Sequence, residues 1–254
     1  AREARVRQVV VGLMIPYWRV APDLLNKAIF HALSQTADVV VLVAGDGETP
    51  PTTIRHDRLV VGTFPTNLGA PATQQSMLWG SPFEWYAPHG ADDFVDRDHV
   101  ARLLAARADV VIPAAVWSHQ FDGQTVVRHK SGVVEVGLFR TSVLKAIGGY
   151  GAQERCGQDS LFVSILLKTE GWAFAAKPTY HKVARLGSLT TDPETKGGSP
   201  YRTAMRLRNQ AVLAECARLG WKREAIRAYR ETLIPPELRV QVEDRAALVA
   251  QWLT

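Results

Sequence analysis

The chain is poor in the residues that would point to several common classes of protein. It has two cysteines in 254 residues, Cys156 and Cys216, too few for a disulfide framework, and nothing near them has the spacing of zinc ligands. No apolar run approaches the roughly 18 to 20 residues that span a bilayer, and the N-terminal "AREARVRQ" lacks the apolar core of a signal peptide. Heptads, internal repeats and low-complexity tracts are missing too, which excludes coiled coils and solenoids. The expectation is a soluble, cytoplasmic, globular protein with reduced thiols. Its 46% hydrophobic content is enough to bury a substantial core.

What is present alternates. "VRQVVVGLMI" and "DVVVLVAG" are short and β-branched, as buried strands are. Between them Ala21, Leu24, Leu25, Ala28, Ile29, Ala32 and Leu33 follow the i, i+3, i+4, i+7 spacing of an amphipathic helix with Pro22 at its start. This is a βαβ unit. "RLVVGTF" reads as a third strand, "APATQQSMLWG" as a helix and "FEWYAPHG" as a fourth strand. "DRDHVARLLAARA" reads as a helix capped by Asp96, and "DVVIPAAVW" as a fifth strand. A hairpin is expected in "FDGQTVVRHKSGVVEVGLF". Short helices follow in "TSVLKAIGGY", closed by Gly148, and "DSLFVSILLKTEGW", closed by Gly171, with a last strand in "AFAAKPTYHKV". The pattern predicts an α/β fold: a mostly parallel, Rossmann-like sheet with helices on both faces.

Beyond the breaker-rich "TDPETKGGSP" lie two helical stretches and a final short helical segment, so the expected division is a sheet domain over 1–190 and a basic helical extension over 191–254. Between Lys196 and Val240 ten Lys or Arg face four Glu, an excess of six against +5 for the whole chain. That concentration fits an anionic partner, or a solvated helical face. Tyr201, Trp221 and Tyr229 interleave with the cations, as in proteins that stack nucleic-acid bases, or else they pin the helices to the sheet domain.

In such sheets ligands bind beyond the carboxyl ends of the strands. There stand Pro16 and Tyr17, Asp46, Asn67, and the adjacent acids Asp92 and Asp93. Two neighbouring carboxylates repel each other unless something neutralises them, and a divalent metal carrying a phosphate would do so, as would a solvated turn. Asp159, at the head of an apolar helix, has the form of a general base or of an N-cap. His181 at a strand end could complete a metal shell or merely be hydrogen-bonded; His89 has a weaker claim. Lys182 and Arg185 could pair with phosphate oxygens, and Arg140 could reach phosphate, anchor the Asp159 loop or be a surface cation.

These motifs, in this order, resemble the inverting glycosyltransferases of GT-A fold, of the family-2 type, over roughly Val9 to Thr190. "VVVGLMIPYW" looks like the family's first strand and "VLVAGDGETP" like its second strand with an Asp-Gly turn. "NLG" is similar to its Asn-x-Gly, and "GADDFVDRDHVARLL" resembles its metal-binding acidic segment. "GLFRTSVLKAIGGYG" looks like its Arg-containing strand and Gly-Gly turn, and "GQDSLFVSILLKTEGW" like the helix that carries the base. The chain departs from the pattern at Gly45, at Gly90 in place of the first Asp of Asp-x-Asp, and at Gln158 in place of a Glu.

The resemblance implies an enzyme moving a sugar from a nucleotide-sugar, a UDP-sugar by family habit, to an acceptor hydroxyl with inversion. Asp159 would be the base and Mn²⁺ or Mg²⁺ would sit on Asp92, Asp93 and His181. Pro16, Tyr17, Asp46, Asn67, Arg140, Lys182 and Arg185 would surround the donor. The acceptor stays open: a nucleic acid with a hydroxylated base, a lipid phosphate or a glycan. Two other readings stand beside it, a degenerate domain that binds a nucleotide or nucleic acid, and a nucleotidyltransferase. Against the latter, "PYWRVAPD" lacks a glycine-rich loop after the first strand.

Overall fold

The computed structural model describes residues 9–120, 124–129, 136–154, 157–189 and 191–254. β1 (Val11–Tyr17), α1 (Pro22–Leu33) and β2 (Val39–Asp46) form the βαβ unit, the strands parallel with Val11 opposite Val39. Pro22 occupies the first turn of α1, where its missing N–H has no partner to lose. β3 (Leu59–Phe64) pairs parallel with β2, α2 (Ala70–Gly80) follows, and β4 (Trp85–Pro88) pairs parallel with the other edge of β1. With β6 (Val110–Pro113), β9 (Leu138–Arg140) and β10 (Trp172–Ala175) they make a seven-stranded sheet in the order β10-β6-β9-β4-β1-β2-β3. In it β9 runs antiparallel to both of its neighbours.

The two-residue period of a strand assigns each side chain to a face. Met14, Leu42, Ala44 and Tyr86 enter one core, shared with α2, α4 (Thr141–Ala146) and α5 (Gln158–Thr169). Leu13, Ile15, Val41, Val43 and Trp85 enter the other, shared with α1 and α3 (His99–Ala105). Helices thus cover both faces, as the alternation predicts.

Five expected elements differ. "DVVIPAAVW" is two strands, β6 and β7 (Ala115–His119), and "AFAAKPTYHKV" is β10 and β11 (Tyr180–Val183). Each run contains a proline, Pro113 or Pro178, which cannot donate to a ladder and lets the chain leave the sheet. β7 and β11 join β5 (Phe94–Val95) and β8 (Thr125–His129) in a second, four-stranded sheet, β5-β11-β7-β8. The hairpin is therefore β7 with β8, while β9 belongs to the central sheet; residues 121–123 and 130–135 of that expectation lie outside the described residues. α3 starts at His99 with Asp98, not Asp96, in the cap position, because the Asp96 carboxylate is engaged by His181. α5 ends at Thr169 without using Gly171: Glu170 is already extended and paired with Arg223 at 2.7 Å.

The C-terminal segment is three helices, α6 (Pro200–Arg218), α7 (Arg223–Thr232) and α8 (Pro236–Trp252), the last with 17 residues and not short. Ser199 caps α6 by accepting the Arg202 amide. Trp221, Tyr229 and Trp252 pack against the core, and Tyr201 donates to Glu154. The aromatics pin these helices to the sheet. Most of the segment's cations have internal partners. Arg208 pairs with Glu154, Arg218 with Glu215, Arg223 with Glu170 and Arg227 with Glu231, and Arg202, Arg230 and Arg239 donate to backbone carbonyls. Carbonyl contacts do not cancel charge, and Glu215 and Glu231 already stand in the count, so with Glu154 and Glu170 the excess of six falls only to four. Among the described residues, no helix is long and apolar enough to cross a membrane.

Candidate active site

At the carboxyl ends of β1 and β4, on the α2 side of the sheet, a cavity of about 250 Å³ opens. Pro16, Gly90, Asp93, Asp159 and Lys182 line it, with Gln74, Tyr150, Tyr180 and Arg202. A shallower depression of about 430 Å³ lies between α1 and β5, against Phe30, His31 and Asp96, and gathers none of the predicted site residues.

The paired acids divide their roles. Asp93 is buried; its Oδ1 accepts the Val183 amide at 2.9 Å and its Oδ2 the Tyr180 hydroxyl at 2.8 Å. Burial, reinforced by the charge of Asp92, pushes its carboxyl up to about 7. Asp92 turns outward and pairs with Arg185 at 2.5 Å. Gly90 makes room for both. A Cβ there would lie 2.6 Å from Asp93 Oδ2 and 3.2 Å from Asp92 Oδ1, so the two carboxylates face one small space that a side chain would fill.

Asp159 sits in the first turn of α5, two residues beyond Gly157, whose left-handed φ of +79° starts the helix. It is therefore not the N-cap. Gly157 is clamped from the C-terminal segment: Asn209 donates to its carbonyl, and a Cβ would strike Met205 at 2.3 Å.

Several predicted residues are not brought to the cavity. His181 lies between Tyr180 and Lys182 on β11, so alternation turns it to the opposite face. There its Nε2 meets Asp96 at 3.0 Å, its Nδ1 meets His119 at 3.1 Å, and its ring stacks on Phe94. It is not a ligand alongside Asp92 and Asp93; among the described residues no cluster of three or more His, Cys, Asp or Glu is placed to hold a metal. Tyr17 goes the same way, into the core under α1, where burial pushes its hydroxyl upward. Arg140 stands opposite Trp85, the first residue of β4, at the far end of the sheet. It is a surface cation stacked on Trp85 and paired with Glu84 and Asp109.

Asp46 is buried, pairs with Arg245 of α8 at 2.6 Å and accepts the amides of Leu68 and Gly69. It thereby shapes the exposed Asn67 turn instead of lining the cavity. His89, by contrast, does line the cavity, with Nδ1 donating to the Gly90 carbonyl; burial drives it down to about 4, and it stays neutral.

Some residues escaped the sequence reading. Tyr180 joins the site by donating to Asp93 and accepting the Gly90 amide. Gln75 accepts the amides of Tyr150 and Gly151 and donates to the Gly148 carbonyl, and Arg230 holds the Ile147 and Gly149 carbonyls. Together they shape the turn that carries Tyr150. The signal was the pair Gln74-Gln75, two polar residues in a helix whose residues Pro71 to Leu78 are all buried, since buried amides need partners.

No protein-family model matches the chain. Among solved structures it is similar to S. aureus TarS 1–349 in complex with UDP-GlcNAc, at TM-score 0.57 and 16% identity over 97% of this chain and 82% of that one. It is also similar to TarS 1–349 in complex with UDP, at TM-score 0.54 and 15% identity over 69% of this chain and 60% of that one. A further TarS structure matches at TM-score 0.54 and 14% identity, over 69% of this chain and 37% of that one. In the last two the chain spans less than two thirds of its neighbour's length. The fold is GT-A. In this GT-A sheet the cavity lies where the α/β rule places a ligand, beyond the carboxyl ends of the strands.

Proposed function

We propose that the protein is an inverting glycosyltransferase that takes a sugar from a UDP-sugar and joins it to an acceptor hydroxyl, with Asp159 as general base and Mg²⁺ or Mn²⁺ held by Asp92 and Asp93. One observation carries this reading: a single cavity in a GT-A fold, whose solved neighbours hold UDP and UDP-GlcNAc, gathers Asp93, Asp159 and Lys182.

The carboxylates suit a hard cation. Two oxygen donors face the space over Gly90, and Asp93 pays for its burial with a raised pKa that a cation would relieve. When bound, the cation supplies compensation for the negative charge that grows on the departing diphosphate. Lys182 and Arg185 add positive charge on the same side, and Pro16 gives the donor a flat wall. Asp159 takes the acceptor proton while the hydroxyl oxygen attacks the anomeric carbon from the face opposite the diphosphate. That geometry inverts the configuration.

Calorimetric titration of a panel of nucleoside diphosphates with Mn²⁺, Mg²⁺ or EDTA tests the donor site. UDP should bind only with metal, and Asp92→Asn/Asp93→Asn should abolish this. Asp159→Asn should keep donor binding and lower transfer or donor hydrolysis by about 10² to 10⁴. If no nucleotide binds under any condition, the reading is wrong.

A further inference from the structure

We infer that Arg185 competes with the metal for Asp92 and is drawn off it by the donor diphosphate, which makes metal and nucleotide binding cooperative. The inference rests on the reading that Asp92 holds the cation. Arg185 is the second residue past β11, and its Nε meets Asp92 Oδ2 at 2.5 Å, with side-chain exposures of 23% and 20%. The other Asp92 oxygen faces the Gly90 space that Asp93 also faces. Both anionic groups a cation would use are thus already engaged, Asp93 by hydrogen-bond donors and Asp92 by a guanidinium.

A metal bound through that other oxygen must share the Asp92 carboxylate with the guanidinium, and the two cations weaken each other's hold on it. A diphosphate changes the balance, because its oxygens offer the planar guanidinium a two-point partner at least as good as a carboxylate. One cation then has two alternative partners.

The segment that carries Arg185 can follow the exchange. Arg185 lends its carbonyl to Thr191, and Arg202 holds the Leu189 and Thr195 carbonyls from α6. Gly187 takes a left-handed φ of +73° with nothing within 4 Å of a built Cβ. Leu186 is 82% exposed and Leu189, which lines the cavity, is 39% exposed. Moving Arg185 toward a phosphate carries these leucines with it, and covering them over the bound donor buries apolar surface.

The test measures Mn²⁺ binding alone, by the loss of the free-ion paramagnetic resonance signal, and UDP binding with Mn²⁺ by calorimetry, on wild type, Arg185→Gln and Arg185→Lys. Matched thermal unfolding confirms that the variants fold. Arg185→Gln should bind Mn²⁺ alone more tightly than wild type yet bind UDP with Mn²⁺ more weakly, cutting a metal–nucleotide coupling expected at roughly 5- to 150-fold. Arg185→Lys should fall between them. Hydrogen exchange at residues 186–189 should slow on adding UDP with Mn²⁺ in wild type and not in Arg185→Gln.

Unchanged or weaker Mn²⁺ binding by Arg185→Gln overturns the inference while leaving the donor site intact. Failure of the wild type to bind UDP with Mn²⁺ overturns the donor-site reading itself.

Discussion

Asp46 and Arg245 are 199 positions apart and form one of the most deeply buried ion pairs of the described residues, each side chain 3% exposed. Asp46 is well served by Arg245 and two amides. Arg245 also stacks on Phe64, 3.8 Å from the ring centroid, but its Nε and Nη1 have no partner among the described residues. Breaking such a pair from one side leaves an unbalanced buried charge. Arg245→Met or Asp46→Asn should each cost about 3–5 kcal/mol in urea unfolding, and the double variant should lose less than the two together. Equal, additive losses of under about 1 kcal/mol would show that the pair does not work as a unit.

At this scale Pro16, Asp93, Asp159 and Lys182 were legible, because a residue just past a strand or at a helix head takes its place from local pattern. Tyr17 and His181 were misplaced by one position. A one-residue step along a strand exchanges cleft for core, and only the register of β1 and β11 with their neighbours sets which is which.

Among the elements, α8 has the most to hold. Its Trp252 rests on β3, with the indole against Phe64 at 5.0 Å between centroids, and a Cβ on Gly62 would lie 2.3 Å from it. Trp252→Ala should cost about 2–3 kcal/mol, below the roughly 3–5 of a fully buried tryptophan, read as a lowered urea midpoint. Gly62→Val should show a comparable loss by overpacking. No loss in either would mean that α8 does not bear on the sheet.

Element types were read correctly wherever the apolar period ran uninterrupted, as in β1, α1, β2 and α2. The runs containing Pro113 and Pro178 were read as single strands because periodicity is blind to a change of sheet. The second sheet follows from those two breaks.

At the scale of the whole molecule, three buried groups among the described residues have large shifts that bear on its pH response. His89 is driven down to about 4 and His99 to about 3, chiefly by burial, so both are neutral when folded and protonate more readily in the unfolded chain. Their contribution is present above about 6.5 and is lost as the pH falls, by about 2 kcal/mol each between pH 7 and 5. Asp93, raised to about 7, works the other way: its contribution is full below about 4 and lost as the pH rises through 7. On acidification it returns about 2 kcal/mol, leaving a net loss from these groups of about 2 kcal/mol between pH 7 and 5. Asp93→Asn should remove the compensation and steepen the loss to about 4 kcal/mol, measured by chemical denaturation at both pH values without divalent ions. Parallel pH profiles for variant and wild type would count against a raised Asp93.

The sequence by itself determined the α/β alternation, the GT-A resemblance and which strand ends carry acids, because these depend on side-chain period and on residues close together in the chain. Tertiary structure decided which acids share a cavity, that Arg185 lies on Asp92, that Asp46 belongs to α8, and that most of the C-terminal cations are used internally. Apart from the pairs of Arg218 with Glu215 and Arg227 with Glu231, which lie within single helices, and the short-range contacts of Arg202 and Arg239, these join groups tens to hundreds of residues apart. Burial and charge pairing bring such groups together only once the sheets have set the register.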